Sequence, residues 1–287
     1  MSFFRKLKTI SAILALTIGV GLVAGCSGQK EDAKATGPDV QGTIAASGST
    51  ALLPLLKPAQ EEFQKKYPKV TVNIAGGGSF TGQNQVAAGS VNIGNSDVAL
   101  QDSLRDKGLI EHKLVGIPFI FIVNKDVAVD NLSQQQYIDI LTGKITNWKD
   151  VGGKDQRITI IHRATSSGSR QTIADVVLKG ANFTDNAVIQ DSNGAVRAGV
   201  SSTPGAIGYV DAAYADQSVK VLGYNGAVYS LENVANGKYP IYTVGRMFTK
   251  GQPAGAVKTF IDYVTSSEFQ EKYVEKNGFI PLIKLPK

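Results

Sequence analysis

The sequence predicts an α/β protein built as two lobes joined by two chain crossings. Strand-like and helix-like segments alternate along most of the chain, the pattern of a mostly parallel sheet flanked by helices. Short apolar runs end repeatedly in clusters of Gly, Ser, Thr and Asp that open helical stretches. Two longer runs, Leu114–Asn124 and Tyr239–Phe248, have the length to pass from one lobe to the other and back. A single doubly wound domain is the alternative arrangement.

The N-terminus stands apart from this body. Residues 1–25 carry Arg5, Lys6 and Lys8, then an uncharged apolar stretch from Ile10, then small residues, which is the layout of an export signal. The apolar stretch is short for a membrane span and closes on Val-Ala-Gly-Cys. Leu22–Cys26 resembles the lipobox of bacterial lipoproteins, in which Cys26 is lipidated and becomes the new N-terminus. Cys26 is the single cysteine, so a disulfide framework is excluded. Residues 26–41 are polar and small, a flexible tether. Loss of residues 1–25 removes three of 30 Lys+Arg and none of 24 Asp+Glu, leaving 27 against 24 and a net charge of +3. That balance, with no basic run carrying interleaved aromatics, argues against nucleic acid as a partner.

Thr43–Ser47 is a buried strand ending at Gly48-Ser49-Thr50, followed by a helix with Leu52, Leu55, Leu56, Phe63 and Tyr67 as core positions. Pro54 suits a first helical turn and Pro58 does not suit an interior, so an irregular or kinked start is expected. Lys69–Ala75 turns Val70, Val72 and Ile74 inward with period two. Gly76–Ser79 then opens a helix, and Val91–Gly94 is a strand ending at Asn95-Ser96-Asp97. Further helices are expected at Leu132–Leu141, Gln171–Leu178, Ala256–Val264 and Glu268–Lys276, and strands at Arg157–Ile161 and Ala206–Val210. Trp148 reads as core or as a loop anchor.

Four turns carry the chemistry: residues 48–50, 76–79, 95–97 and 163–169. Ligands of open α/β sheets sit beyond the carboxyl ends of the strands, so these turns are placed to share one cleft. Three of them lead into helices, whose free N–H groups and positive dipole end attract anions. Hydroxyls add donors, Gly allows close backbone approach, and Arg163 brings a charged fork of donors. Singly, each turn is also what a plain helix cap or surface turn looks like; four together point to an anion. Competing motifs fail. Gly77-x4-Gly82 is followed by Gln83 rather than the Lys-Ser/Thr of a P-loop. His112 and His162 have no metal-ligand spacing, and no G-x-S-x-G presents a nucleophile.

The segments SGSTALLPLL, GGGSFTGQNQVAAGSVNIGNSD, LTGKITNWKDVGG, HRATSSGSR and TPGAIGYV, in this order, resemble the phosphate-binding proteins of bacterial ABC phosphate importers, the PstS family. The resemblance runs from about Gly42 to the C-terminus. It implies a two-lobed periplasmic-binding-protein fold, type II-like, whose two crossover strands form the hinge. On this reading residues 42–120 plus 243–287 form lobe 1 and residues 121–242 form lobe 2. The implied phosphate ligands are Thr50 and the Ala51 N–H, Ser79, Asp97, Arg163, Ser167, Gly168 and Ser169, with Ser49 as a neighbour. Arg170 is left between a salt bridge at the cleft mouth and a ligand contact. The implied partners are inorganic phosphate, the permease subunits of the importer, and the membrane through lipidated Cys26. The protein is expected to act as a monomer, with no cofactor, metal or catalysis. One departure stands out: many members place an acidic residue two positions after the arginine, where it steadies the guanidinium, and here that position is Thr165.

Asp97 is the unexpected member of an anion site, because like charges repel. Phosphate near neutral pH still carries at least one proton and can donate a hydrogen bond to this carboxylate, whereas sulfate has no proton to give. A buried acceptor left unpaired costs ~1–3 kcal/mol, and sites built around a substrate hydroxyl reject analogues lacking it strongly. Two other readings remain at this point: a receptor for another tetrahedral oxyanion such as sulfate, molybdate or a phosphonate, and an exported phosphoryl hydrolase.

Overall fold

The computed structural model describes residues 40–286. The export signal, Cys26 and all but the last two residues of the expected tether lie outside the described residues. In chain order the body begins with strand β1 (Gly42–Gly48), helix α1 (Leu53–Lys66), strand β2 (Val70–Ala75), helix α2 (Ser79–Ala88) and strand β3 (Ile93–Ser96). The long strand β4 (Leu109–Val123) follows, then the short β5 (Asn131–Leu132) and helix α3 (Gln134–Leu141). Strand β6 (Thr159–Arg163), helix α4 (Gly168–Ile173), strand β7 (Val188–Gln190), helix α5 (Asn193–Ser202) and strand β8 (Ala206–Asp211) come next. The chain closes with β9 (Lys220–Tyr224), helix α6 (Leu231–Ala235), β10 (Tyr242–Lys250) and helix α7 (Gly255–Thr265).

One mixed sheet holds these elements in the order β2-β1-β3-β10-β4-β8-β6-β7, with β9 also paired to β4 and β5 paired to β9. β1, β2 and β3 are mutually parallel, as are β6, β7 and β8. β4 joins the two sets. Its residues Leu109–Pro118 pair antiparallel with β10, which in turn pairs with β3, and its residues Phe119–Val123 pair antiparallel with β8. The parallel sets therefore run toward each other. Ser96 at the end of β3 pairs with Arg246 of β10, and Asp211 at the end of β8 pairs with Phe119 of β4. Both groups of carboxyl ends thus converge on the middle of β4, where binding loops of α/β sheets collect.

The local patterns follow simple burial. β2 alternates buried and exposed residues, with Val70, Val72 and Ile74 inward. β4 is buried without a break from Leu114 to Val123, as a strand covered on both faces must be. Its first residues, Leu109–Lys113, are half-buried except for the exposed Glu111 and Lys113, and add five residues to the expected strand. Phe63 anchors α1 on α7 through an edge-to-face contact with Phe260 at 5.1 Å. Trp148 is core, and its indole N–H donates to Gly205 O at 2.9 Å.

Several boundaries differ from the sequence reading. α1 runs unbroken through Pro58. The amide that Pro58 lacks would bond Pro54 in the first turn, so only one bond near the helix start is lost. β6 starts two residues later than expected and runs on to Arg163. α4 begins at Gly168 because Ser167 caps it, and it widens into a π-helical turn at Ala174–Leu178. The C-terminal helix at Glu268–Lys276 is likewise a short α-turn at Ser267–Phe269 followed by π and 3₁₀ turns. β5, β7, β9, α5 and α6 have no counterpart in the sequence reading.

Candidate functional site

The four turns meet. Ser49, Thr50, Ser79, Asp97, Arg163, Ser167 and Ser169 are all buried polar residues, and Ala51 beside them is fully buried. Asp97 follows β3 and is the centre of the cluster. Its backbone N–H donates to Ser79 Oγ at 2.9 Å, Ser49 Oγ donates to one carboxylate oxygen, and Ser169 Oγ donates to the other at 3.1 Å. Its carbonyl accepts from Thr243 Oγ1 at 2.8 Å, which ties the turn to the start of β10. Residues expected on opposite sides of the cleft are therefore in direct contact.

Two glycines make this approach possible. A Cβ at Gly168 would stand 2.3 Å from Ser79 Oγ and 2.9 Å from the Asp97 Cβ. Gly78 has φ 96° and a Cβ there would stand 2.5 Å from Ser166 O, so a side chain is opposed by both backbone conformation and space. Next to it, the Phe80 N–H donates to Ser166 O at 3.1 Å across the same gap. The starts of α2 and α4 thus face each other over Asp97. Their first-turn N–H groups have no intrahelical acceptors and point their positive ends into one space. Ser167 belongs to this frame, since its Oγ accepts from Arg170 N at 3.2 Å and caps α4.

Arg163 ends β6 and is 1% exposed. Its Nη2 donates to Asp191 O at 2.8 Å and its Nη1 lies 3.5 Å from Ser169 Oγ. The Asp191 carbonyl does what an acidic residue at position 165 would do, holding the guanidinium from the turn after β7. Nε is buried without a hydrogen-bond partner among the described residues. Such a group is a donor awaiting an acceptor. Burial pulls the Arg163 guanidinium below its usual range, and Asp97 opposes this. Burial likewise pushes the Asp97 carboxyl up, against the Ser49 hydrogen bond, the Arg163 charge and the Ser169 hydrogen bond.

Arg170 takes neither expected role. Its Nη1 donates to Arg163 O and meets His162 Nδ1, both at 2.8 Å, while its guanidinium carbon lies 4.6 Å from the Phe183 ring centre. It braces the turn from behind. His162 is packed, stacked on Phe183 at 4.9 Å, and burial with the Arg170 charge lowers its pKa to about 4.

Three site residues were not anticipated. Asn193 opens α5 and its N and Nδ2 donate to Thr50 Oγ1 at 3.3 and 3.0 Å. Tyr214 donates its hydroxyl to Thr50 O at 2.5 Å. Asp211 ends β8, fully buried, with Oδ1 accepting from Ala213 N at 2.7 Å and Oδ2 without a partner among the described residues. Burial and the nearby Asp97 charge raise its carboxyl well above the usual range, against the Ala213 hydrogen bond. The stretch Asp191-Ser192-Asn193-Gly194 carries the same signal as the other four turns, a Ser cap and a Gly after a strand. Among the described residues there is no group of three or more His, Cys, Asp or Glu able to hold a metal ion.

The arrangement can grip a small oxyanion that both accepts many hydrogen bonds and donates one. Fold and cleft together are those of a two-lobed solute-binding protein, and residues 33–268 match the PBP superfamily domain. The chain is 35% identical over 285 residues to the phosphate-binding protein PstS of Bacillus subtilis (strain 168), covering 96% of this chain and 95% of that protein. It is 29% identical over 280 residues to the PstS protein of Borreliella burgdorferi, covering 93% and 97% of the two. Among solved structures, a candidate phosphate ABC transporter substrate-binding protein with bound phosphate from Clostridium perfringens superposes with a TM-score of 0.80. That structure is 31% identical and covers 84% of this chain and 100% of its own. An ABC-type phosphate transport receptor from Vibrio cholerae, 26% identical, gives a TM-score of 0.67 over 83% of this chain and 99% of its own. The chain belongs to the PstS family within the PBP superfamily.

Proposed function

We propose that this chain captures inorganic phosphate outside the cytoplasm and delivers it to the permease of an ABC importer. The observation that carries this reading is that one buried carboxylate, Asp97, and one buried guanidinium, Arg163, are linked through the Ser169 hydroxyl inside a cluster of hydroxyls and helix starts. A site of donors alone would suit any oxyanion; the added acceptor suits one that still carries a proton. Arg163 Nε, the Thr50 and Ser79 hydroxyls and the N–H groups of Ala51, Gly168 and Ser169 serve as donors to phosphate. Asp97 accepts a hydrogen bond from the proton that phosphate retains. Ser49, Ser167 and Ser169 hold Asp97 and the α4 cap in place and complete the lining.

Residues 42–120 with 243–287 act as one lobe and 121–242 as the other, hinged at the β4 and β10 crossings. Phosphate bridges the lobes and favours their closure. No bond is made or broken. Cys26, lipidated, holds the protein to the outer face of the membrane, and residues 26–41 give the monomeric body its reach. The relatives named above support this reading.

Calorimetric titration of the purified chain with phosphate and with sulfate at pH 7 tests it. Tight phosphate binding with sulfate at least 10³-fold weaker is expected; equal affinity for both would refute it. Cys26→Ser should release the protein from the membrane fraction, and retention of that variant would refute the anchor.

A further inference from the structure

We propose that Asn193 is a positioning residue of the anion site, setting the Thr50 hydroxyl as an obligate donor only when the cleft is closed. The inference rests on the phosphate reading above and adds to it a residue outside the turns that line the anion. A hydroxyl has one proton to give and two lone pairs to receive with. Asn193 fills both lone pairs of Thr50 Oγ1, through its backbone N–H at 3.3 Å and its side-chain Nδ2 at 3.0 Å. The Thr50 proton is then the hydroxyl's only remaining capacity, and Asn193 offers no acceptor for it.

The Asn193 amide cannot turn over to change this. Its Oδ1 accepts from the Asp211 N–H at 3.0 Å, so the oxygen end is fixed on β8 and the nitrogen end faces Thr50. Asn193 is fully buried and Thr50 is 4% exposed, so water does not compete for either group. The neighbouring Tyr214 hydroxyl donates to the Thr50 carbonyl at 2.5 Å and fixes the backbone of the same residue. Thr50 lies just after β1, while Asn193, Asp211 and Tyr214 lie at or just after the ends of strands of the opposite parallel set. Opening the cleft at the β4 crossing separates the two groups. The hydroxyl then rotates freely in water and loses its preset direction. Closure and the arming of this donor are thus one event.

The contrast with the other hydroxyls sharpens the assignment. Ser49 and Ser169 donate to Asp97, so their protons are committed. Ser79 accepts from the Asp97 N–H within its own side of the cleft, so its proton is free whether the cleft is open or closed. Of the two hydroxyls whose protons remain uncommitted, Ser79 and Thr50, only Thr50 has its donor direction set from the other side.

A double-mutant cycle with inorganic phosphate as the probe tests this, using the purified full-length chain and calorimetric Kd values. Thr50→Val and Asn193→Ala should each weaken phosphate binding by about tenfold or more. In the Thr50→Val background, Asn193→Ala should cost less than threefold further, because no hydroxyl remains to orient. The phosphate-to-sulfate ratio should stay as in the unmodified chain, since Asp97 is untouched. An equal cost of Asn193→Ala in both backgrounds would mark Asn193 as merely structural and overturn the proposal. If Asn193→Ala does not fold, Asn193→Ser, a residue suited to a helix start, takes its place in the same cycle with the same two outcomes. Failure of the unmodified chain to bind phosphate would instead defeat the functional reading itself.

Discussion

Gly168→Ala should weaken capture of the anion while leaving the fold intact. Gly168 is the first residue of α4 and does not have a positive φ, so alanine fits its backbone and favours the helix. The added methyl meets the opposite side of the cleft. It would stand 2.3 Å from Ser79 Oγ, 2.8 Å from Ser79 Cβ and 2.9 Å from Asp97 Cβ, where ordinary contact begins at 3.4 Å. Rotating the serine hydroxyl relieves only the first of these, so the two sides must still part by about 0.6 Å. The bonds that cross the gap, Ser169 Oγ to Asp97 at 3.1 Å and Phe80 N to Ser166 O at 3.1 Å, then pass beyond hydrogen-bond reach. Loss of one charge-assisted bond costs about 1.5–3 kcal/mol, a 10–150-fold rise in Kd. Titration with phosphate measures that rise, and melting curves with and without phosphate separate it from misfolding. The unliganded melting temperature should hold and the phosphate-induced increase should shrink. A phosphate Kd within threefold of the unmodified chain would refute the claim that these two turns close on each other.

Other perturbations follow from the same geometry. Arg163→Ala removes a buried cation whose free Nε and held fork serve the ligand, and should weaken phosphate by ~3 kcal/mol or more, over 100-fold by titration. Arg163→Lys should recover only part of this, because an ammonium cannot bond the Asp191 carbonyl and the anion as a planar fork does. Asp211 carries a carboxyl that folding raises, so the native state keeps a proton that the unfolded chain releases above ~4. Its contribution to stability is present at low pH and is lost as pH rises. Asp211→Asn should therefore raise the melting temperature at pH 7.5 more than at pH 4, and an equal change at both would contradict the buried-acid assignment. His162 behaves in the opposite sense. Its pKa falls to about 4 in the fold, so its contribution is present above ~6.5 and lost as pH drops toward 4, worth up to ~3 kcal/mol. His162→Gln should lose less stability than the unmodified chain between pH 7.5 and 4.5, as read by urea titration.

Much of this architecture is written in local pattern. β2 alternates, β4 is a continuous apolar run from Leu114 to Val123, and four turns share a strand-end composition, so these elements and the meeting of the four turns can be read directly. What could not be read has a common physical cause. β7 is three residues long and mostly exposed, so no apolar run announces the turn at Asp191–Asn193 that follows it. Asn193 and Tyr214 act on Thr50 from 143 and 164 residues away, and nothing near them in the chain marks that partnership. Asp211 is the residue just after the expected strand Ala206–Val210, and only the convergence of β8 on β4 shows that it is buried beside the site. Arg170 is a similar case. Its cation faces a histidine, a carbonyl and an aromatic ring rather than a carboxylate, a set of partners assembled by the turn itself.

Asp97→Asn gives the most direct test of the central claim, that one buried carboxylate makes the site selective for a protonated oxyanion. The Asn side chain keeps the shape and an oxygen acceptor, but it replaces the second acceptor with a donor and removes the charge facing Arg163. Parallel calorimetric titrations with phosphate and sulfate across pH 5–8, on the unmodified chain and the variant, measure the outcome. Phosphate should still bind the variant while sulfate binding strengthens, so that the selectivity ratio falls by at least tenfold. An unchanged phosphate-to-sulfate ratio would contradict it.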